Sequence, residues 1–518
     1  MTTSEELNER IVAAHAALTD AARADKITKQ HGRDKWTARE RIAYLTGGCF
    51  TEFGGLAGPG PSQNGAPALV APADGIVTGI GYVDGRPVAI AAFDFTVLGG
   101  SQGAAGNAKL GRMAERALID RIPFIAIMDG GGHRMQEALD SRLAAPGAPV
   151  FLQLGDLNGF VPTVAAFLGP GFGAPANMAA GCDFVVIRRG AAHIGMSSDI
   201  LVKAGTGLDV TNDELGDADL QASRGIVDLV VDEEQEALDA IRLYLSYLPS
   251  WCDGEANTAD GPFVLGETAD ELDTLVPANT REAYDVRDVI EGLCDDETVF
   301  EIKPDWAQNI VTAFGRIAGR AVGFVANQPR FGAGAIDVHA CEKAAHFIAV
   351  CDTFGLPVIN LIDMPGFLVG PEAEATGLAR RSGRLAYELS IATVPLIVVT
   401  MRKAYGAAYV VMGGGRSLAA TLSLAWPTAE ICAIPVESAV DLAFRSDWEN
   451  AADPAARRDE LVKLFGANID PLIAADSFGI DDVVLPSQTR GLIAETLNRA
   501  PRRRPERVQG RRRTISPI

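Results

Sequence analysis

Histidine, cysteine and aromatic side chains are scarce in this sequence, and their scarcity limits the chemistry that it can support. The 518 residues include six histidines and seven cysteines, and 7% of them are aromatic. The cysteines form no CxxC pair and no cluster with histidine, and most of them stand in apolar runs. This usage is typical of reduced structural thiols, and we expect no metal site in the chain.

Positive charge and long apolar runs are also lacking. Lysine and arginine number 46 against 67 aspartates and glutamates, so the formal net charge is −21. This excess of negative charge argues against nucleic acid or an acidic membrane surface as a partner. The N-terminus is polar and no apolar run approaches the roughly 18 residues of a membrane span, so we expect a cytoplasmic protein with no signal peptide.

The common catalytic motifs are absent as well. The sequence contains no GxSxG elbow, no Walker loop and no HExxH helix. The motif patterns therefore indicate neither a serine hydrolase, nor a phosphate-loop enzyme, nor a zinc hydrolase.

An internal repeat is the strongest feature that the sequence does contain. Residues 356–414 follow the plan of residues 122–182: an apolar strand, a turn that begins with aspartate, a second apolar strand and an aromatic-Gly-Ala step. The landmarks are Pro123, Asp129, Val161 and Gly173 in the first copy, and Pro357, Asp363, Val394 and Gly406 in the second. From aspartate to valine the copies take 32 and 31 positions, and from valine to glycine both take 12. This regularity predicts two halves built on one plan.

The chain is too long for one hydrophobic core and has a polar middle segment, which together predict two domains. Residues 251–280 are rich in aspartate, glutamate, glycine and proline. We therefore place an N-terminal domain at residues 1–255, a linker at 256–280 and a C-terminal domain at 281–518.

Local patterns predict a similar series of elements in each half. In the first, residues 68–92 read as a hairpin with Asp84-Gly85 at its turn, followed by a helix over 105–119. In the second, a strand over 321–326 leads through a loop at 327–334 to a helix over 339–354. A further helix is predicted over 5–24. The basic segment after it, which includes Lys35 and Arg41, is interpreted as a solvated helix and linker, with a ligand-facing role as the alternative.

The two aromatic-Gly-Ala steps are the candidate chemical sites. Where a strand ends and a helix begins, adjacent backbone N–H groups can converge on an anionic oxygen and form an oxyanion hole. Gly173 with Ala174 and Gly406 with Ala407 stand at such points. The alternative is that each glycine only permits close packing between strand and helix.

Four motifs make the chain resemble a known enzyme family. They are TARERI at residues 37–42, DFTVLGGS at 94–101, RKAYGAAY at 402–409 and AWPTAE at 425–430. In order and spacing, from about residue 35 to about residue 500, the sequence is similar to the carboxyltransferase (β) subunits of biotin-dependent acyl-CoA carboxylases. The propionyl-CoA, acetyl-CoA and methylcrotonyl-CoA carboxylases are the best-known members.

This resemblance implies an α/β fold of duplicated crotonase-type domains, each a ββα spiral, in a ring-shaped hexamer. It implies that acyl-CoA, the substrate, binds to the N-terminal half, and that carboxybiotin on a separate carrier protein binds to the C-terminal half. A biotin carboxylase and carrier (α) subunit would be the partner, because this sequence has neither an ATP-grasp domain nor a biotin-accepting Met-Lys-Met. Carboxyl transfer needs an enolate on the thioester and an oxyanion on the biotin ureido group, and one hole would serve each anion.

The same resemblance assigns residues to roles. Gly173 and Ala174 would face the thioester oxygen, and Gly406 and Ala407 the ureido oxygen. Residues assigned to the acyl-CoA side are Gly130, Gly131, Gly132 and Arg134, with a structural ion pair as the alternative for Arg134. Residues assigned to the biotin side are Asp363, Pro365, Gly366, Phe367, Tyr405 and Ala408.

One departure from the family concerns the first hole. Its loop usually carries a Gly-Gly pair, whereas this chain has Gly173-Ala174-Pro175, and proline has no N–H to donate. Two alternatives to an acyl-CoA carboxylase stay open, of which only the second rests on Ala174 and Pro175. One is the carboxyltransferase of a biotin-dependent decarboxylase, which runs the same chemistry in reverse. The other is a catalytically silent scaffold subunit.

Overall fold

The computed structural model describes residues 3–59, 69–139, 150–255, 258–259, 261, 263–504 and 514–516. Their contacts divide the chain into two compact units, Met1–Glu255 and Ala256–Ser516. The arginine run at residues 511–513 lies outside the described residues. Within the described part of the chain, no helix is both long enough and apolar enough to cross a membrane.

The first unit is built on a seven-stranded sheet in the order β1-β2-β3-β4-β5-β7-β9, with β6 and β8 paired separately. The strands are β1 Phe50–Phe53, β2 Ile76–Val83, β3 Arg86–Phe93, β4 Phe124–Met128, β5 Thr163–Phe167, β6 Pro170–Phe172, β7 Phe184–Arg188, β8 His193–Gly195 and β9 Leu229–Val231. The first three strands are antiparallel, and those from β3 to β9 run parallel. Strands β4 and β5 are buried along their whole length, as expected where both faces of a parallel sheet are covered.

Helices cover this sheet. They are α1 Ser4–Ala16, α2 Ala24–His31, α3 Ala38–Thr46, α4 Ala104–Asp120, α5 Met135–Ala138, α6 Val150–Leu157, α7 Ala174–Ala180, α8 Asp199–Thr206, α9 Asn212–Gly216, α10 Ala218–Ala222 and α11 Glu234–Tyr247. Helix α4 turns Leu110, Met113, Ala114 and Ala117 toward the core, which is the spacing of one helical face. The predicted helix over 105–119 is thus confirmed.

The predicted hairpin is confirmed but begins later than expected. Val83 pairs with Arg86 across a turn of Asp84 and Gly85, both at positive φ. The strand starts at Ile76 because Ala73 and Asp74 have left-handed backbone conformations, which a strand cannot include. The predicted helix over 5–24 is interrupted, because Thr19 has an extended backbone between α1 and a short 3₁₀ turn.

The second unit repeats the plan. Its sheet has the order β10-β11-β12-β13-β14-β15-β17, and β16 pairs with β14. The strands are β10 Phe300–Ile302, β11 Ile310–Ile317, β12 Arg320–Asn327, β13 Val358–Met364, β14 Leu396–Tyr405, β15 Leu422–Ala425, β16 Glu430–Cys432 and β17 Asp482–Val483. An antiparallel hairpin again leads into parallel strands.

Its helices are α12 Leu272–Leu275, α13 Val286–Leu293, α14 Val338–Phe354, α15 Pro371–Ala375, α16 Leu378–Ile391, α17 Gly406–Val411, α18 Val436–Ala443, α19 Arg445–Glu449, α20 Pro454–Gly466, α21 Pro471–Asp476 and α22 Thr489–Arg499. The strand predicted over 321–326 and the helix predicted over 339–354 both form. Leu272, inside the stretch predicted as a linker, is fully buried in the core of this unit with Phe324 and Trp426. That part of the stretch is therefore structured.

Equivalent residues of the two units lie 234 positions apart as far as Asp129 and Asp363, and 233 positions apart from Val161 and Val394 onward. Lys109 in α4 and Lys343 in α14 are both buried, and each ammonium donates to two backbone carbonyls of the segment that leads into its hairpin. Burial lowers the pKa of Lys109 to about 8 and that of Lys343 to about 7. The repeat therefore extends to buried polar groups that sequence landmarks alone did not reveal.

Candidate active sites

In the first unit, the glycine loop after β4 lies against β6, the strand that ends just before Gly173. The N–H of Gly130 donates to the carbonyl of Pro170 at 2.9 Å, and Gly132 lies beside the carbonyl of Phe172. The N–H of Gln102 donates to the carbonyl of Gly132 at 2.9 Å. Three segments distant in sequence thus meet at the carboxyl ends of parallel strands, where α/β proteins commonly bind ligands.

Gly173 makes the turn from β6 into α7. Its φ of 73° and ψ of −121° lie in a region that favours glycine. Its N–H donates to the carbonyl of Gly195 at 2.9 Å, so this expected donor is already used within the protein. Ala174 is the first residue of α7, where a backbone N–H has no acceptor inside the helix. Pro175 follows and has no N–H, so Ala174 supplies the donor next to the turn.

The second unit reproduces this arrangement. The N–H of Ile336 donates to the carbonyl of Gly366 at 3.0 Å, as Gln102 does to Gly132. Met364 pairs with Ala404 in the parallel ladder, and Gly366 lies near the carbonyl of Tyr405. The loop of Pro365, Gly366 and Phe367, which is half-buried, therefore lies beside the start of α17.

Gly406 opens α17 with a φ of 67°, again in the left-handed region. A Cβ atom at this position would lie 2.9 Å from the carbonyl oxygen of Ala433. Both the conformation and the close approach require glycine here. Gly406, Ala407 and Ala408 are the first three residues of the helix, whose N–H groups have no intrahelical acceptor. Two short helices thus begin with a positive-φ glycine step at equivalent points of the two units.

Asp129, at the end of β4, is the centre of a buried charge network. Its carboxylate accepts from Lys35 at 2.5 Å and from Arg41 at 2.8 Å, and Gln30 donates to it as well. Arg41 also makes two hydrogen bonds of 2.7 Å to Glu234. The interpretation of Lys35 and Arg41 as solvated residues is therefore wrong, because both are buried in this network. Burial lowers the pKa of Lys35 despite the attraction of Asp129.

Asp363, at the equivalent end of β13, is also fully buried and paired with two cations. Arg402 Nε donates to it at 2.8 Å, and Lys403 contacts it through both its backbone N–H and its ammonium, each at 3.2 Å. Arg402 donates further to the carbonyls of Pro277, Asn279 and Glu282. Asp363 was assigned to the biotin side, and the structure places its carboxylate inside the protein, where it holds neighbouring segments.

Arg134 is fully buried and makes the ion pair that the sequence left open as an alternative. Its guanidinium contacts Asp74 at 2.5 Å and Glu137 at 2.8 Å. Asp74 also accepts from Gly106 at 2.7 Å and Glu137 accepts from Ala104 at 2.8 Å, so both carboxylates cap the N-terminus of α4. Arg134 therefore ties the glycine loop to this helix, and a contact between Arg134 and acyl-CoA stays a prediction.

Tyr405 and Ala408, assigned to the biotin side, flank the glycine step of the second unit. The hydroxyl of Tyr405 donates to the carboxylate of Glu430 on the neighbouring strand β16. Burial and this hydrogen bond raise the pKa of Tyr405. Ala408 is buried, so its methyl group packs within the unit while its N–H belongs to the first turn of α17.

The arginine run at residues 502–504 binds backbone carbonyls of the second unit. Arg502 donates to the carbonyl of Phe354, Arg503 to those of Asp352 and Thr353, and Arg504 to those of Ala392 and Ala419. These arginines hold the end of the chain to the second unit. No periodicity signals such contacts, because their acceptors are backbone carbonyls.

Comparison with known proteins defines the class. Residues 29–515 match the model of the carboxyl transferase domain family. The chain is 41% identical over 480 residues to the propionyl-CoA carboxylase carboxyltransferase subunit of Haloferax mediterranei, covering 91% of this chain and 92% of that protein. It is 39% identical over 479 residues to the methylmalonyl-CoA carboxyltransferase 12S subunit of Propionibacterium freudenreichii subsp. shermanii, covering 91% and 90%.

A solved structure agrees with these relatives. The hexameric transcarboxylase 12S with methylmalonyl-coenzyme A and methylmalonic acid bound superposes with a TM-score of 0.92 at 36% identity, covering 100% of this chain and 99% of that one. The predicted α/β fold of duplicated crotonase-type domains is thereby confirmed. The chain belongs to the carboxyl transferase family. Within that family it is a carboxyltransferase subunit of a biotin-dependent acyl-CoA carboxylase.

Proposed function

We propose that this chain moves a carboxyl group between biotin on a separate carrier protein and the α-carbon of a short acyl-CoA. The observation that carries the proposal is the duplicated turn, in which Gly173 and Gly406, both at positive φ, lead from parallel strands into helices. A transfer with an anion on each side needs two preorganised sets of donors. The backbone N–H groups available at these turns are that of Ala174 in the first unit and those of Ala407 and Ala408 in the second.

The first unit takes the acyl thioester in this proposal. Gly173 shapes the turn, and the N–H of Ala174 donates to the thioester oxygen as it gains enolate character. Gly130, Gly131 and Gly132 line the approach, since a loop without side chains lets a ligand reach the backbone. Gly131 has open space where a Cβ atom would stand, which fits a surface left free for a substrate.

The second unit takes biotin. When bound, biotin supplies the carboxyl group that is transferred, and its ureido oxygen gains negative charge as that group leaves. The residues present fit such a ring, because Gly406, Ala407 and Ala408 combine successive N–H groups with the smallest side chains. Pro365, Gly366 and the half-buried ring of Phe367 form the neighbouring wall.

The partners follow from the same assignment. We propose a biotin carboxylase and carrier (α) subunit as the source of carboxybiotin, and a homohexamer as the assembly. Several relatives are biotin-dependent carboxylase β subunits, and the transcarboxylase 12S neighbour is a hexamer. Propionyl-CoA is the first substrate to test, because the relative from Haloferax mediterranei is a propionyl-CoA carboxylase subunit.

A second candidate function is the decarboxylase direction. The chain is 36% identical over 479 residues to the methylmalonyl-CoA decarboxylase subunit alpha of Propionigenium modestum. Both directions share a transition state, so the two holes serve either one.

The test is to mix the purified chain with a carboxylated biotin carrier protein and a panel of acyl-CoAs, and to follow carboxylated product by mass spectrometry. We expect transfer to at least one short acyl-CoA and no fixation of bicarbonate by the chain alone with ATP. Failure to transfer in either direction, by a chain that is folded and assembled, would leave only the silent scaffold role.

A further inference from the structure

A buried aspartate with two cations recurs at the same point of both units. Asp129 directly follows β4 and Asp363 is the last residue but one of β13, the central strands of their sheets, and each side chain is completely buried. Asp129 pairs with Lys35 and Arg41, and Asp363 pairs with Arg402 and Lys403. Burying charged groups costs free energy even when they are paired, so stability alone does not explain why both units bury such a cluster.

The cations come from different parts of the chain in the two units. Arg402 and Lys403 belong to β14 itself, 39 and 40 positions after Asp363. The residue equivalent to Arg402 in the first unit is Gly169, where a Cβ atom would overlap the Asp129 carboxylate and the Lys35 ammonium. Lys35 and Arg41 occupy that space instead, from 94 and 88 positions before Asp129. The same charges thus surround each aspartate although different residues supply them.

Each aspartate is joined directly to the strand that ends at the glycine step. In the second unit the ladder between β13 and β14 changes register around Asp363, with Ile362 opposite Thr400 and Met364 opposite Ala404. The Asp363 carboxylate accepts the N–H of Lys403 within this irregularity. A register change of this kind alters the direction in which a strand ends. Strand β14 ends at Tyr405, one residue before Gly406.

The first unit achieves the same connection through its loop. Gly130, the residue after Asp129, donates to the carbonyl of Pro170 in β6, and β6 ends one residue before Gly173. The ion pairs of the Asp129 carboxylate therefore fix the glycine loop, and the hydrogen bond from Gly130 connects that loop to β6. In both units a displaced aspartate would move the glycine step and its N–H donors.

From this recurrence we infer that Asp129 and Asp363 are positioning residues, each of which sets the geometry of the anion hole in its own unit. The inference rests on the proposed function, in which the first unit handles acyl-CoA and the second biotin. A positioning role predicts effects on the substrate of one unit only, whereas a role in stability alone predicts no preference between substrates.

The experiment uses the full-length assembled protein and measures carboxyl transfer from a carboxylated acyl-CoA, such as methylmalonyl-CoA, to free biotin, with the acyl-CoA and the biotin varied in turn. Asp363→Asn should lower kcat/KM for biotin by about 100-fold, the effect expected of a displacement near 1 Å, while the KM for acyl-CoA stays unchanged. Asp129→Asn should lower kcat/KM for acyl-CoA by a similar factor and leave the KM for biotin unchanged.

Matched controls are Asp352→Asn and Asp183→Asn, which replace buried aspartates at the other ends of the same sheets. Asp352 accepts from the N–H of Thr393, just before β14, and Asp183 accepts from the N–H of Thr163 at the start of β5. Neither control should separate the two substrates. A crossed pattern, with Asp363→Asn acting on acyl-CoA, would keep the positioning role and overturn the assignment of the two units. Equal effects on both substrates, or none, would overturn the positioning role.

Replacing either aspartate leaves two cations without their counter-charge and can prevent folding, so a milder pair completes the test. Lys403→Met and Lys35→Met each remove one cation and leave the aspartate paired with an arginine. They should show the same substrate preference with a loss of about tenfold, as for other residues that orient a reacting group indirectly. If both variants assemble and their kinetics match those of the unaltered protein, the inference is wrong.

Discussion

Ala407→Pro is the sharpest test of the second anion hole. Backbone donors cannot be removed by truncating a side chain, but proline lacks the N–H. Gly406 is unsuitable for this change, because its φ of 67° is incompatible with the proline ring and the turn itself would change. Ala407 is the second residue of α17, and proline is tolerated in the first turn of a helix, where no intrahelical hydrogen bond is lost.

The expected magnitude follows from the number of donors. Loss of one preorganised donor to a developing oxyanion costs about 3–4 kcal/mol, which corresponds to a loss of roughly 10²–10³-fold in kcat. The folded state itself should lose little stability, since the deleted N–H has no acceptor inside the helix. Affinity for acyl-CoA should not change, because the proposal places that substrate in the other unit.

The assay is carboxyl transfer from a carboxylated acyl-CoA to free biotin, with each of the two varied separately, after circular dichroism and light scattering have shown a folded assembly. Ala455→Pro is the matched control, since Ala455 is the exposed second residue of α20, outside both proposed holes. It should retain full turnover. Near-normal turnover by assembled Ala407→Pro, or a loss expressed only in the KM for acyl-CoA, would refute the assignment of this hole.

Three further predictions concern stability. Burial lowers the pKa of Lys343 to about 7, whereas in the unfolded chain this lysine stays protonated to about pH 10.4, so the free energy of unfolding should rise between these pH values by up to about 1.4 kcal/mol per pH unit. In urea unfolding, Lys343→Met should show a shallower rise with pH. An unchanged dependence of the free energy of unfolding on pH would contradict the lowered pKa. Burial raises the pKa of Asp183 to about 7, so its contribution to the free energy of unfolding should fall as pH rises from about 4 to 7. Asp183→Asn should remove that fall. If the free energy of unfolding of the variant depends on pH as that of the unaltered protein does, the raised pKa is wrong. Gly169→Ala should give little soluble, folded protein, because the added Cβ atom overlaps Asp129 and Lys35. Gly155→Ala, whose Cβ atom would stand in open space within α6, should raise the free energy of unfolding in urea by about 0.5–1 kcal/mol. Equal stability of the two alanine variants would be the contrary result.

The repeat and its local elements were predictable because they rest on short-range patterns. The Asp84-Gly85 turn and the apolar face of α4 both follow from residues close in sequence. The positive φ at Gly173 and Gly406 was also foreseeable, since glycine stands where a strand turns directly into a helix.

The electrostatic part of the sites was not predictable in this way. Lys35 and Arg41 lie in a basic stretch that has the composition of a solvated helix, and only the fold brings them to Asp129. The N–H of Gly173 was counted as a free donor because its acceptor, Gly195, lies on a separate small strand pair. Long-range pairings of this kind leave no periodic signal in a single sequence.

The different origin of the cations gives the two units different orders of assembly. The second unit carries the partners of Asp363 within its own parallel strands, so this centre can form as soon as β13 and β14 pair. Asp129 stays without its partners until the segment that holds Lys35 and Arg41 has returned from nearly a hundred positions upstream to dock on the sheet. Closing such a long loop costs conformational entropy before the contact can stabilise the fold. The first glycine turn should therefore be among the last parts of its unit to become rigid during folding, although its strands are synthesised first.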